Sequence, residues 1–472
     1  MELTSAGDTF LILIAALLSL PLLLAVCWSQ PAPTTLGYIA ILCLFSSSTW
    51  GQLQEENTLY ARGTGMFYFS LVNILLWIAV AAAGTRQLMA NLQAKLPSPF
   101  NYFLVAFSFL LLAHVVLGLM AGKDIPLILG YNGLINLLNS VLFSWLLLST
   151  LTTEKNQQTL IKLLLGLAAV RAVFGLIRYQ WFDGDSANPY RNFESLDIKL
   201  VYFDICDNYI AALAAFCLAW LLLMPSVRMK LWQRFFIAGW LILEVATVAL
   251  SFRRSSLIGL GLMLLVLIVQ LPWQRRFLLI AISTLALMGA SATLMRERLQ
   301  FNVNNPESGF ISSLLYDVGP DRATQANRFY ELEAAARSLD GNWLFGLGSW
   351  GSFYGDEDIL DYHFGKFDFV HSGFGHVILK SGLLGLTLFL ALLVVFTINY
   401  LKHRKYFSGC SSLLADAGFA GLLFWMPTLL IGTPIIEFRT MLLLGMTLAL
   451  PYLPLVRSAN CKPQYFPRYA IA

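Results

Sequence analysis

Charge is scarce in this sequence. Asp, Glu, Lys and Arg together make up 12% of the 472 residues, against roughly 25% in a soluble globular chain, so a water-soluble enzyme is excluded. Lys and Arg exceed Asp and Glu by only 31 to 27. The basic residues fall in short separate clusters, which gives no reason to expect a nucleic-acid partner. Cysteine pairing is lacking too: Cys27, Cys43, Cys206, Cys217, Cys410 and Cys461 show no CxxC spacing, so neither a zinc site nor a disulfide framework is indicated. HExxH and Walker motifs are missing, which disfavours chemistry driven by a nucleoside triphosphate and leaves no cofactor expected. One G-x-G-x-x-G string, Gly346 to Gly351, stands outside any βαβ unit. It reads as a tight turn among aromatics (Trp343, Phe345, Trp350, Phe353, Tyr354) rather than a dinucleotide site.

What is abundant is apolar sequence: 58% of residues are hydrophobic and the mean hydropathy is +0.68. Runs approaching the ~20 residues that cross a bilayer recur near residues 9–27, 36–50, 66–83, 100–121, 127–151, 159–178, 203–224, 235–251, 255–271, 277–295, 372–400, 412–433 and 440–456. The pattern predicts an all-α polytopic membrane protein of about 12 to 13 transmembrane helices. Residues 1–295 hold spans with short loops, 296–371 one large loop with short helices, and 372–472 the last spans and a tail. The first residues show neither a positive n-region nor a small-residue cleavage site, so a removable signal peptide is not expected.

Short loops rich in Lys and Arg set the orientation. Arg228, Lys230 and Arg234, then Arg275 and Arg276, then Lys402, Arg404 and Lys405, and finally Arg457, Lys462 and Arg468 alternate with the spans and mark cytoplasmic loops. That places residues 179–202, Arg253 and Arg254, the 296–370 segment and the Glu437/Arg439 turn on the external side.

Ionisable groups at or inside the membrane need a physical reason. Arg253 and Arg254 either snorkel to the interface or form an anion site. Arg171 and Arg178 lie seven residues apart and share a helix face, with Arg171 deeper by about 10 Å; Glu244 is the expected structural counter-ion of Arg171. The large loop is acidic, so anion recognition there has to come from a few placed arginines, whose planar forks suit diphosphate oxygens. Asn327 to Leu339 has helical spacing through Phe329, Leu332, Ala336 and Leu339, with Gly341 as a stop. The expected helix lies on the membrane surface with Arg328 near its start, where the helix dipole favours an anion. His371 stands where the loop re-enters the membrane; it is either a general base toward a sugar hydroxyl or a hydrogen-bonded interfacial residue. His376 and Lys380, one turn apart, either face substrate or line a polar crevice. His114 and His363 read as structural, and His403 as solvent-facing.

Taken in order, these pieces resemble the O-antigen ligase and O-antigen polymerase superfamily of bacterial integral-membrane glycan transferases. The stretch Asn342-Trp343-Leu344-Phe345-Gly346-Leu347-Gly348, then His371-Ser372, then Ser381-Gly382-Leu383-Leu384-Gly385-Leu386 is similar to that family's "P-L-F-G-V-G … H-N … E-x-G-I-L-G-L" run. Ala249 to Ser256 is similar to its "S-x-S-R-G-A" motif, with Arg254 as the matched arginine. Asp207 to Ala212 resembles its "P-N-x-x-A" helix start, and Arg328 stands in the place of its loop arginine. Three departures stand out: Ser372 replaces Asn, Lys380 replaces an acid, and Ser255 replaces Gly.

The resemblance implies a glycosyltransferase type C-like membrane fold in a bacterial inner membrane, its active site facing the periplasm. The implied donor is a glycan on undecaprenyl pyrophosphate, and the acceptor a growing glycan, lipid A core or a protein, with membrane lipid around them and neither metal nor cofactor. His371 would be the catalytic base. Arg254 and Arg328, with Arg253 and Arg178, would bind pyrophosphate, while Asn208, His376, Lys380 and Arg171 would line the substrate path. Ligase activity fits the single His and single re-entry loop best. A polymerase or a protein O-oligosaccharyltransferase is the alternative within the superfamily. A secondary transporter is the rival of a different class; the sequence shows no internal repeat and gathers its key charges at one face, which weighs against it.

Overall fold

The computed structural model describes residues 19–45, 60, 69–89, 99–185, 199–224, 229–277, 279–280, 328–355 and 365–460. These form α1 (Ser19–Ser29), α2 (Pro31–Leu44), α3 (Leu71–Met89), α4 (Phe100–Met120), the single turn α5 (Ile125–Ile128), α6 (Ile135–Thr150), α7 (Glu154–Trp181), α8 (Ile205–Leu223), α9 (Leu231–Ala249) and α10 (Arg254–Gln270). After a gap come α11 (Arg328–Ser338), strands β1 (Phe353–Gly355) and β2 (Gly365–Phe367), α12 (Gly373–His403), α13 (Cys410–Leu430), α14 (Phe438–Ala449) and α15 (Leu453–Asn460).

Among the described residues, eight helices are long and apolar enough to cross a membrane: α3, α4, α7, α8, α9, α12, α13 and α14 with its continuation to Val456. The helices α1, α2, α6 and α10 are apolar but shorter. The chain is therefore an all-α polytopic membrane protein. Helices α8 and α14 are enclosed almost all round by other helices, whereas α7 and α9 leave most of their apolar surface uncovered. Uncovered helix surface of that kind suits lipid and not water. Most of the run read at 277–295 and most of the 296–370 segment, His363 included, fall outside the described residues.

Local chemistry sets the helix starts. Thr153, Asp204 and Ser372 each accept a backbone N–H of the turn they precede, from Asn156, Cys206 and Gly375 respectively, satisfying donors that a helix leaves unpaired. Chain direction and contacts then gather several helix ends together. The ends of α2, α7, α9 and α13 and the starts of α8, α10, α12 and α14 lie at one end of the bundle, called here the upper end. Val201 N–H reaches the Leu250 carbonyl, Arg439 reaches the Leu42 carbonyl, and Gly373 packs on Leu429 and Pro434.

Among the described residues two hydrophobic cores result. The large one fills the bundle. A small separate one joins Ala334 and Ala335 of α11, Phe353 of β1, Val370 and Leu379, with Leu332, Leu347 and Phe367 packed against it. The strands pair antiparallel, Phe353 opposite Phe367, and the two rings stack with centroids 5.6 Å apart.

The sequence reads 372–400 as one unbroken span, but the helix breaks at Gly382, whose φ is +61°, a left-handed conformation that favours glycine. The break is filled by the glycine turn that the sequence places 35 residues upstream. Leu383 and Leu384 donate their N–H groups to the Trp343 and Leu344 carbonyls at 2.8 and 3.1 Å, and Leu347 N–H donates to the Leu379 carbonyl at 2.8 Å. Non-helical backbone at such a place is tolerated where freed groups find protein partners, as these three do. At Gly346 a Cβ would meet the backbone of Lys380, Ser381 and Gly382 at 2.6 to 2.7 Å, so only glycine lets the turn come this close.

Candidate functional site

The upper end carries two kinds of arginine. The first kind is buried and paired with aspartates. Arg439, fully buried, donates to the Leu42 carbonyl at 2.7 Å, to Asp204 at 2.9 Å and to Asp207 at 2.6 Å. Asp207 uses its other oxygen for Arg171, which also reaches the Leu44 carbonyl at 3.2 Å. Tyr202 donates its hydroxyl to the Arg171 carbonyl. Arg178 pairs with Asp185 at 2.9 Å and with the Val201 carbonyl. The network ties α2, α7, α8 and α14 together, and its charges persist out of water because each is answered in place.

These contacts correct the expected counter-ion. Arg171 pairs with Asp207 and not with Glu244, which instead accepts from the Trp240 indole at 2.9 Å. The pairing joins α7 to α8 across 36 residues and involves an Asp that the sequence offers only as part of a helix-start motif. Arg178 and Arg171 are thereby each paired with an aspartate within the fold. Asn208 is buried, and its amide donates to the Asp204 carbonyl at 3.0 Å, fastening the start of α8 rather than lining an opening. Arg253 donates to the Phe203 carbonyl and lies 5.5 Å from the centre of the Phe203 ring, so it clamps the loop ahead of α8.

The second kind is less enclosed. Arg328 opens α11, its side chain 26% exposed, with Nη1 3.6 Å from Glu331 Oε2. His371, just ahead of α12, meets the same carboxylate: its Nδ1 lies 3.0 Å from both Oε1 and Oε2, and its backbone N–H donates to Oε1 at 2.8 Å. The Phe369 ring stands edge-on to the imidazole with centroids 5.2 Å apart. The structure thus brings two of the expected site residues, Arg328 and His371, onto one carboxylate. Burial alone would raise the Glu331 carboxyl; hydrogen bonds and charge from His371, with Arg328 adding to them, outweigh it and hold the group below its ordinary value.

Glu331 was not anticipated. It sits in the expected helix, but the packed face carries Glu331, Ala334, Ala335 and Leu339, while Phe329 is exposed. The predicted apolar face is rotated because a paired Glu goes inside, and a paired acid has the same letter as a solvated one. Arg254 begins α10. Gly259 of α10 packs on Phe424 of α13, and Gly373 of α12 packs on Leu429 of the same helix, so both α10 and α12 lie against α13.

His376 and Lys380 are buried in the first half of α12. Lys380 donates to the Gly351 carbonyl at 2.5 Å, fixing the glycine turn, a bond that an acidic side chain could not make. Ser372 accepts from Gly375 N–H at 3.1 Å; as an N-cap it does what Asn does equally well, which accounts for that departure. His114 holds the turn from the other side, accepting the Ser349 N–H at 3.0 Å. Beside it a cavity of about 620 Å³ runs between α4 and the second half of α12, lined by Phe109, Leu110, Leu117, Phe345 and Leu388 among others. A further group, Asp204, Cys206 and Glu437, has ligand atoms within 4.8 Å of one another, yet Asp204 is paired with Arg439 and Cys206 and Glu437 with Thr440.

Residues 237–390 match a protein-family model described as O-antigen ligase. The matched segment holds Arg254, Arg328, Glu331, the glycine turn, His371 and the break at Gly382. No curated protein matches the chain.

Proposed function

We propose a specific reaction from the O-antigen ligase signature of residues 237–390, which supports an O-antigen ligase-like glycan transferase in general terms. The chain moves a glycan from undecaprenyl pyrophosphate to an acceptor hydroxyl at the periplasmic face of a bacterial inner membrane. The observation that carries this reading is the meeting of Arg328 and His371 on one carboxylate within the matched segment.

Arg254 and Arg328 receive the diphosphate, whose charge grows as the anomeric C–O bond breaks, and guanidinium groups aimed at that charge lower the barrier. His371 accepts the proton of the acceptor hydroxyl while its oxygen attacks the anomeric carbon from the opposite side, inverting the centre. The bonding pair leaves on the diphosphate, a good leaving group. The apolar cavity between α4 and α12 takes the carrier's isoprenoid tail. An acceptor on lipid A core gives ligase activity.

The test is reconstitution in vesicles with undecaprenyl-pyrophosphate-linked glycan and acceptor. Transfer is expected to fall by about 10²–10⁴ in His371→Ala and by about 10²–10³ in Arg254→Ala and in Arg328→Ala. Arg→Lys at either position restores little, because a point charge lacks the fork. Unchanged transfer in all three alanine variants overturns the assignment.

A further inference from the structure

We propose that Glu331 is a positioning residue for the reaction: it fixes the His371 ring and holds the proton on Nδ1, so that Nε2 presents the lone pair. This inference rests on the reading of His371 as base. Three contacts converge on the one carboxylate, two from Nδ1 at 3.0 Å and one from the His371 backbone N–H at 2.8 Å. An ionised carboxylate only accepts hydrogen bonds, so a ring nitrogen between its two oxygens has to be the donor. The Glu331 side chain is 2% exposed, which keeps water from competing for those oxygens. The backbone contact fixes the residue, the ring contacts fix its side-chain angle, and Phe369 blocks rotation from another side.

The proton count follows. The acceptor O–H bond breaks and its proton goes to Nε2; the new O–C bond forms at the anomeric carbon; the C–O bond to phosphate breaks and its electron pair leaves with the diphosphate. The resulting imidazolium keeps its Nδ1–H on Glu331, which takes no proton and offsets the new positive charge. An orienting carboxylate acts in this way on the histidine of serine proteases. Here helix α11 delivers it from 40 residues upstream, through the small core that fixes α11 against β1 and α12.

Glu331→Gln tests the idea, because its amide N–H₂ can donate to Nδ1 and so favour the other tautomer. With full-length protein in vesicles, kcat is expected to fall on the order of 10²-fold or more, with KM for the undecaprenyl-pyrophosphate-linked glycan little changed. Glu331→Asp, which keeps the charge, recovers part of the rate. ¹⁵N-histidine NMR on the wild type, with the His371 signal assigned by comparison with His371→Ala, reads the tautomer independently of turnover and of whether Glu331→Gln folds. It is expected to show a protonated Nδ1 and a bare Nε2. A protonated Nε2 in the neutral wild-type ring, or a wild-type kcat in folded Glu331→Gln, overturns the proposal. Full transfer by His371→Ala would instead overturn the reading of the base.

Discussion

The buried arginines of the upper end and the arginine that opens α11 share a residue type but differ in what surrounds them. Arg439 spends its guanidinium on two aspartates and a carbonyl, with no exposure at all. Arg328 offers a quarter of its side chain to solvent and rests 3.6 Å from a carboxylate that His371 also uses. Both are external arginines on the sequence's own topology, so position relative to the membrane does not separate them. Pairing does: Arg171, Arg178 and Arg439 each hold a buried aspartate and tie the chain together, while Arg328 shares its one carboxylate with His371.

Removing the hub of the first group is expected to have the largest effect. Arg439→Met leaves Asp204 and Asp207 with buried charge, and should cost about 3–5 kcal/mol, seen as a large drop in thermal midpoint for protein in detergent. Survival of the wild-type midpoint would show that the network does not lock the helices. Next comes the seam between bundle and loop. Gly382→Ala puts a Cβ against the Leu344 carbonyl in a left-handed backbone and should cost at least about 1–3 kcal/mol, read by the same melt and by proteolysis of the loop. Ser372→Ala removes the N-cap of α12 and should cost about 1 kcal/mol, while Ser372→Asn keeps the cap and stays within about 0.5 kcal/mol; equal melts for the two would argue that the cap bond contributes nothing. The smallest stability effect belongs to Arg328→Ala, under about 1 kcal/mol, although transfer by that variant should be the more strongly reduced property. A large unfolding shift there would erase the distinction between the two kinds of arginine.

Much of this was legible in the sequence. Charge scarcity gave the all-α membrane class, and the short motifs singled out Arg328 and His371, which the structure brings together. Sequence reading missed contacts that pair distant residues. Asp207 meets Arg439 across 232 positions, and nothing in the spacing of either announces it, so the sequence points Arg171 to the intramembrane Glu244 instead. Glu331 was hidden for a similar reason: buried by its pairing with His371, it sits on a face that the apolar spacing of the helix does not mark. The break in α12 was hidden because a glycine in an apolar run is common. Only the turn that fills the break, anchored by Lys380 on Gly351, gives Gly382 its meaning.

The split at Gly382 also changes where the chain can be cut when chimaeras are made. Residues 373–381 are covalently part of α12, but Leu379 belongs to the small core and its carbonyl is capped by Leu347 of the turn. A graft of the segment ahead of α12 between homologous proteins that joins at His371 would sever those ties and leave mismatched halves. The natural splice point lies after Leu384, so that the segment, the short helical stub and the backbone bonds sealing the gap travel as one cassette.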